Sequence, residues 1–171
     1  MKERILTSLL TVFVISGIQA QAPSPVPRLV VGLTIDQLRA DYIEAFSALY
    51  GERGFKRLLK EGRIYTNAEY DFINVDRSSA TASIYTGTAP YYNGIPSNRW
   101  RDRGSLRIIK SVDDQDFMGV YTSESSSAKL LRCSTLSDEL KVATQGRAEV
   151  YSIAPTREMA ILAAGHAANG A

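Results

Sequence analysis

An apolar run near the N-terminus, residues 29–35, most constrains what this chain can fold into. Five of its seven residues are Leu, Val or Ile, and it ends abruptly at Asp36. Such a run is typical of a strand buried on both faces in a parallel sheet. A helical spacing of apolar residues follows over 38–49, and a second short helix is predicted to close at Gly62.

The rest of the chain continues this alternation of strands and helices. Strands are predicted over 63–70, 107–110 and 149–154, and helices over 78–86 and 135–143, with Ser78 or Ser79 as the N-cap of the first. Residues 91–104 are expected to form a loop. Because the units repeat at about thirty residues, the sequence predicts a layered α/β domain with a mostly parallel sheet. Ligands bind at the carboxyl ends of the strands of such sheets, where Asp36 and residues 155–157 fall.

The first twenty residues have the features of a signal peptide. Lys2 and Arg4 precede an apolar stretch, and a small-residue site follows that predicts cleavage after Ala20. A membrane anchor is the alternative, but the stretch is shorter than the ~20 residues that span a bilayer. We therefore expect a signal peptide at 1–20, a proline-rich linker at 21–28, a folded domain at 29–171 and a periplasmic or secreted protein without a transmembrane anchor after cleavage.

Composition excludes several classes of protein. The chain is 44% apolar and 22% charged, which is ordinary for a globular domain and argues against disorder. Its formal charge of +2 gives no electrostatic footprint for nucleic acid. Cys133 is the single cysteine of the sequence, so no intramolecular disulfide can form and the core must hold the fold.

Three groups of polar residues are candidates for chemistry. Asp36, at a predicted strand end, suits a metal ligand or, alternatively, a helix N-cap. Ser78 and Ser79 begin a predicted helix, where its dipole and free N–H groups favour a hydroxyl nucleophile near phosphate, although such residues also serve as caps. Asn98 can donate to a phosphoryl oxygen or simply shape a turn. Arg157 can clamp phosphate or lie on a solvated surface.

Several segments together resemble the alkaline phosphatase superfamily, in its type I phosphodiesterase/nucleotide pyrophosphatase branch. The resemblance runs from about residue 29 to the C-terminus. Its strongest segments, in chain order, are VVGLTIDQLRADY at 30–42, GFKRLLKEG at 54–62, SIYTG at 83–87, GIPSN at 94–98 and AILAAGH at 160–166. The resemblance implies a three-layer α/β fold with helices on both faces of the sheet.

The resemblance also implies roles for individual residues. Asp36 matches a zinc ligand of the family, and Asn98 matches the Asn that contacts the transferring phosphoryl group. The family nucleophile is a Thr or Ser at the start of the helix that precedes the SIYTG segment. An ungapped count back from Gly87 places Arg77 at that position. A one-residue shift in the preceding loop would instead bring Ser78 there, and we predict Ser78, with Ser79 behind it, as nucleophile and Ser78 as a metal ligand.

The implied activity is that of an exported phosphohydrolase with two zinc ions. A hydroxyl nucleophile would attack a small phosphate mono- or diester and form a covalent phospho-enzyme. A catalytically inactive member that serves as a binding or scaffold protein is the alternative, and Arg77 at the counted position favours it. The chain holds one His and ends inside a family-like segment, so we expect it to be the N-terminal part of a longer protein and inactive alone.

Overall fold

The computed structural model describes residues 26–171. The chain divides into two units, residues 1–32 and 33–171. The described part of the first unit, residues 26–32, is exposed and contains no helix or strand. The helices and strands described below belong to the second unit.

The second unit begins with two short helices that bury none of their residues. Helix α1 spans Ala40–Ala45 and is followed by a 3-10 turn at Ser47–Leu49. Helix α2 spans Phe55–Glu61 and ends at Gly62, which confirms the predicted C-terminal stop. The predicted helix over 38–49 is therefore present in a shorter and interrupted form.

Helix α3, Arg77–Thr86, is the central element of the unit. Its N-cap is Asp76, whose side chain accepts a hydrogen bond from the Ser79 N–H, and the Ser79 hydroxyl accepts one from the Asp76 N–H. The prediction of Ser78 or Ser79 as N-cap is therefore wrong. A carboxylate just before the helix bonds the free N–H of the third helical residue, and Ser79 completes the reciprocal capping box.

A helical turn and a small sheet follow α3. Helix α4, Pro90–Asn93, ends at Gly94, whose φ of +83° favours glycine. A Cβ on Gly94 would lie 2.8 Å from the Leu130 carbonyl oxygen. Strands β1, Arg99–Arg101, and β2, Ile108–Lys110, then pair antiparallel. β2 confirms the strand predicted over 107–110, whereas β1 lies where a loop was predicted.

Two capped helices complete the unit, and both pack against α3. Helix α5, Leu136–Ala143, is capped by Thr135, and helix α6, Arg157–Ala164, is capped by Thr156. Apolar side chains that are buried together around α3 and α6 form the core: Ala82, Ile95, Val112, Ala128, Leu131 and Leu162. Helices α3 and α6 pack directly against each other.

Three predicted strands are absent from the described residues. Residues 29–35 and 63–70 form no strand, and 149–154 contributes a single parallel bridge between Tyr151 and Gly170. Leu29, Val31 and Leu33 are largely exposed instead of buried. The physical reason is that a parallel strand needs hydrogen-bonded neighbours and covered faces, and the described residues supply neither at these positions.

Candidate active site

Asp36 lies in a turn before α1 and contacts the first residue of α3. The Arg77 Nε donates to the Asp36 Oδ2 at 2.9 Å, across 41 residues of sequence. The two side chains are 51% and 40% exposed, so the ion pair faces solvent. Asp36 is not the N-cap of α1, because Arg39 holds that position. The structure thus brings the candidate metal ligand to the start of α3.

The negative charge of the same carboxylate also acts on Tyr70. Burial and the negative charge of Asp36 together raise the pKa of the Tyr70 phenol. A phenol that stays neutral near a carboxylate can donate a hydrogen bond. The sequence patterns did not single out Tyr70.

Asn98 also contacts the start of α3. Its Oδ1 accepts from the Ser78 N–H at 3.0 Å, and its own N–H donates to Asp76 Oδ2 at 2.6 Å. Among residues 26–171, the Asn98 Nδ2 makes no hydrogen bond to protein. An amide anchored by its oxygen keeps its two N–H donors available. Asn98 is thus held beside position 77 with donors free, as a phosphate contact requires.

Asp76 joins the helix start to the loop that carries Asn98. Besides capping α3, its carboxylate accepts from the Ser97 hydroxyl at 2.7 Å and from the Asn98 N–H. Burial alone would raise the pKa of Asp76, but the hydrogen bonds from Ser79, Ser97 and Asn98 outweigh it and hold that pKa below its usual range. Sequence reasoning missed Asp76, although an Asp just before a predicted helix start is a preferred N-cap residue.

Ser78 and Ser79 do not join Asp36. Both side chains are fully buried. The Ser78 hydroxyl bonds the Ser111 hydroxyl at 2.9 Å, and the Ser79 hydroxyl is held by Asp76 and by the Asn74 carbonyl. The expected convergence of a Ser hydroxyl and Asp36 on one metal is therefore not what the structure shows. The reason is register: the first helical residue, which points out of the helix toward Asp36, is Arg77.

Arg157 begins α6 and is surrounded by acidic groups. Its guanidinium contacts Asp113, Glu124, Glu158 and the Ser126 hydroxyl, and its side chain is 24% exposed. Burial alone would lower the pKa of Arg157, but the carboxylates outweigh burial and raise it. No contact joins Arg157 to Asp36 or Asn98 within residues 26–171. Its predicted role as a phosphate contact stays a prediction and would require release from these carboxylates.

Metal ligands are scarce in the part of the chain that the structure describes. No group of three or more His, Cys, Asp or Glu side chains within it could hold a metal ion. Asp36, the candidate ligand, already faces the guanidinium of Arg77. His166 lies elsewhere, where its ring nitrogens contact Asp138 Oδ2 and the Leu131 carbonyl, both at 3.0 Å. As they stand, the described residues do not fit a zinc ion at Asp36.

Comparisons with known proteins bear on this site. The family model described as type I phosphodiesterase/nucleotide pyrophosphatase matches residues 30–156. The chain is 41% identical over 148 residues to the alkaline phosphatase PhoV of Synechococcus elongatus, which covers 85% of this chain and 27% of that protein. It is 36% identical over 170 residues to the alkaline phosphatase PafA of Elizabethkingia meningoseptica, with 95% and 31% covered.

The fold agrees with these relatives. The structure matches the crystal structure of the alkaline phosphatase PafA with a TM-score of 0.81 and 33% sequence identity, over 85% of this chain and 29% of that chain. The described residues thus adopt part of an alkaline-phosphatase-like fold. The chain spans less than a third of the length of these relatives. No helix in the described residues has the length and apolar character to cross a membrane.

Proposed function

The chain belongs to the type I phosphodiesterase/nucleotide pyrophosphatase family, and from that premise we propose that the protein is a phosphohydrolase acting on phosphate mono- or diesters. The family match and the two alkaline phosphatase relatives support this reaction class. The substrate is a small phosphate ester, and nucleic acid is not a partner in this proposal, since the formal charge of the chain is only +2.

One observation links the proposed activity to particular residues. Asp36 contacts residue 77, and Asn98 bonds the N–H of residue 78, so both converge on the first turn of α3. The resemblance implies a metal ligand at residue 36 and a phosphoryl contact at residue 98. An ungapped count places residue 77 at the nucleophile position, next to the predicted nucleophile Ser78. Their convergence supports a phosphate-ester site at this helix start. Asn98 would stabilise the charge that develops on a phosphoryl oxygen through its free amide donors.

The proposal has finer parts. It includes export by a signal peptide at 1–20, a linker at 21–28, a domain over 29–171 and a longer protein of which this chain is the N-terminal part. In that longer protein the three-layer sheet is complete, and residues 29–35 form one of its strands. The two zinc ions of the family supply Lewis acidity when bound. Ser78, with Ser79 behind it, stays the predicted nucleophile, which requires the first turn of α3 to rearrange because both hydroxyls are buried.

A second candidate function has an observation of its own. The residue that faces Asp36 at the start of α3 is Arg77, which has no hydroxyl, while the neighbouring Ser hydroxyls are bonded inside the protein. Arg is well suited to hold a phosphate group and does not form a phosphoester intermediate. This geometry favours an inactive family member that binds phosphate esters without hydrolysing them.

Hydrolysis of p-nitrophenyl phosphate and its bis-ester by the longer protein, with added zinc, tests both functions. If Asn98 stabilises the transition state, Asn98→Ala lowers kcat on the order of 10²-fold. Asn67→Ala, at an exposed loop position, is the matched control and leaves kcat unchanged. Turnover that is lost in Ser78→Ala supports the predicted nucleophile. Binding of both esters without turnover supports the second function instead.

A further inference from the structure

Strands β1 and β2, with the turn between them, form a hairpin that has an excess of positive charge. Residues 99–110 hold five basic side chains and one acidic side chain, a net charge of +4, whereas the whole chain carries +2. The basic side chains are all exposed: Arg99, Arg101, Arg103, Arg107 and Lys110. The rest of the chain is therefore net negative, and the hairpin differs from it in sign.

The register of the two strands places much of this charge on one face. Arg99 lies opposite Lys110, and Arg101 lies opposite Ile108. Side chains alternate between the faces of a strand and directly opposite residues share a face, so these four side chains point the same way. The other face is half-buried and includes Trp100, which packs against the core. The charged face is thus the outer face of the hairpin.

The protein itself neutralises little of this charge. Within residues 26–171, the side chains of the four arginines form no ion pair and no hydrogen bond, and Lys110 lies 3.6 Å from a carboxylate oxygen of Asp113. The acid of the hairpin, Asp102, accepts from the Ser105 N–H at 2.7 Å and so serves the turn. Like charges directly opposite each other, as at Arg99 and Lys110, destabilise a sheet. An anionic partner would offset that cost.

The spacing of the charges and the apolar groups among them indicate the kind of partner. Side chains on one face of a strand lie about 7 Å apart and adjacent strands about 5 Å apart, so the charges cover an area instead of converging on one anion. Ile108, on the charged face, is 59% exposed, and Leu106, in the turn, is 65% exposed. A bilayer interface accepts such apolar groups while its anionic head groups meet the arginines. A soluble anionic polymer offers the apolar groups no such environment.

We propose that the outer face of this hairpin binds the surface of a membrane that contains anionic lipids. The arginines contact separate head groups, and Leu106 and Ile108 enter the boundary between head groups and acyl chains. The attachment is peripheral and reversible, because it uses few apolar side chains. Since the Ser111 N–H at the base of the hairpin donates to the Asn98 carbonyl at 2.9 Å, the attachment holds the start of α3 near the lipid surface. The proposal does not depend on hydrolysis.

Flotation with lipid vesicles tests this proposal. The protein is the chain from residue 21 onward, because the apolar stretch at 5–18 would itself bind lipid, and it keeps every helix and strand described. With vesicles of phosphatidylcholine and about 30% phosphatidylglycerol we expect binding that weakens as salt is added, and with pure phosphatidylcholine vesicles none. Arg99→Gln together with Arg101→Gln should weaken binding about 30-fold, since each basic residue near an anionic surface contributes about fivefold.

Two further variants separate the hairpin from net charge and the charges from the apolar groups. Arg53→Gln together with Arg63→Gln removes the same charge from exposed positions outside the hairpin and is the matched control, with binding within about threefold of the unmodified chain. Leu106→Asn should weaken vesicle binding about fivefold, because it removes an apolar group from the interface. Asn tolerates the φ of +57° at this position, so the turn is kept.

Several results would overturn the proposal. One is a chain that does not bind the anionic vesicles, and another is an equal loss in the two double variants, because net charge would then attract the lipid. Tight binding to heparin with none to vesicles would assign the hairpin to a soluble polymer instead. Vesicle binding by this chain but not by the longer protein would show that other residues cover the hairpin there. Circular dichroism of each variant checks that the fold remains.

Discussion

Residues 26–75 and residues 76–171 differ sharply in how they bury side chains. No residue in the first stretch is buried, whereas the second contains every buried residue of the described chain. The first stretch is nevertheless rich in large apolar side chains, with Leu33 81% and Ile73 97% exposed. Apolar composition alone therefore does not make a core.

The difference shows which elements a segment can form from its own residues. Helices α1 and α2 form in the first stretch although they bury nothing, because helical hydrogen bonds are satisfied within the segment. A strand must instead find its hydrogen-bond partners on a neighbouring strand. In the second stretch, capped helices pack on one another and on a shared apolar cluster. The two stretches should accordingly respond very differently to the same substitution.

The largest expected contrast is between two leucines. Leu162 is fully buried in the cluster around α3, and Leu162→Ala should lower the free energy of unfolding by about 2–5 kcal/mol, since it removes buried apolar contacts and leaves a cavity. Leu33 is 81% exposed, and Leu33→Ala should change that free energy by no more than about 0.5 kcal/mol. Urea unfolding of the 171-residue chain measures both.

A large loss in Leu33→Ala would contradict the comparison. It would mean that residues near 33 pack against something in solution and that the exposed first stretch is not the state of the isolated chain. A loss below about 1 kcal/mol in Leu162→Ala would also contradict the comparison, because it would show that the core of the second stretch collapses around the substitution.

Two glycines with similar backbone angles give the next contrast. Gly165 has φ +80°, and a Cβ there would lie 2.2 Å from the Thr135 Oγ1 and 2.6 Å from the Asp138 Oδ2. Gly54 has φ +76°, and a Cβ added there would have no atom within 4 Å. Alanine at either position incurs the same backbone strain, of about 1–3 kcal/mol. Gly165→Ala should cost a further 1–3 kcal/mol or so from overlap, by analogy with overpacked cores.

The difference in stability loss between the two variants gives the cost of the overlap, because the cost of backbone strain cancels. Thermal unfolding of Gly165→Ala and Gly54→Ala, followed by circular dichroism, measures this difference. Equal losses would show that the Thr135–Asp138 pair moves aside freely, and that the contact between α5 and the end of α6 is looser than its geometry suggests.

The caps of α3 and α1 give a smaller contrast with a pH signature. Asp76 caps α3 through its side chain, whereas Arg39 at the start of α1 makes no side-chain cap bond. Asp76→Asn should lower the free energy of unfolding by about 1 kcal/mol at pH 7, and Arg39→Ala by less than about 0.5 kcal/mol.

The sign of the pH effect follows from the lowered pKa of Asp76 in the folded chain. Near pH 4 and below, the unfolded state binds more protons at this residue than the folded state does. The stabilisation from Asp76 is therefore complete above the unfolded pKa and is lost as the pH falls through the folded pKa. Urea unfolding from pH 7 to pH 3 should show a shallower acid loss in Asp76→Asn. An unchanged slope would assign the acid loss to other carboxylates.

The helices were largely predictable from sequence, whereas of the four predicted strands the described residues contain one, at 108–110. Gly62 and Thr135 mark a helix end and a helix start through local chemistry, and the structure has both where the patterns indicate. The strand prediction for 29–35 assumed that the run is buried. Burial of a strand depends on neighbouring strands and covering helices, which the run's own residues do not specify. The predicted N-cap of α3 was wrong by only two or three residues. The Ser-rich helix start suggested Ser78 or Ser79, but the N-cap is Asp76, the residue just before the helix.

The candidate site was predicted in part. Asp36 and Asn98 were singled out as candidates, and both lie at the start of α3. The predicted nucleophile, Ser78, lies at a buried position, whereas the counted position holds the half-exposed Arg77. A helix start orients consecutive residues about 100° apart, so one step in register exchanges an exposed side chain for a buried one. Sequence spacing could not decide that step without the caps.

The smallest expected effect tests whether surface charges hold the first stretch in shape. Arg57 and Glu61 form an ion pair one turn apart on α2, with Nε and Oε2 2.8 Å apart and both side chains more than half exposed. Arg57→Ala should lower the free energy of unfolding by no more than about 0.5 kcal/mol, because such pairs are screened by solvent and ordered at an entropic cost. The effect should shrink further in about 1 M salt, where the Debye length falls to about 3 Å. Glu61→Ala is the matched control and should behave alike.

A loss well above this size in either variant would mean that α2 depends on its charges, because it lacks a buried face. Surface ion pairs would then stabilise the first stretch, whereas the core stabilises the second.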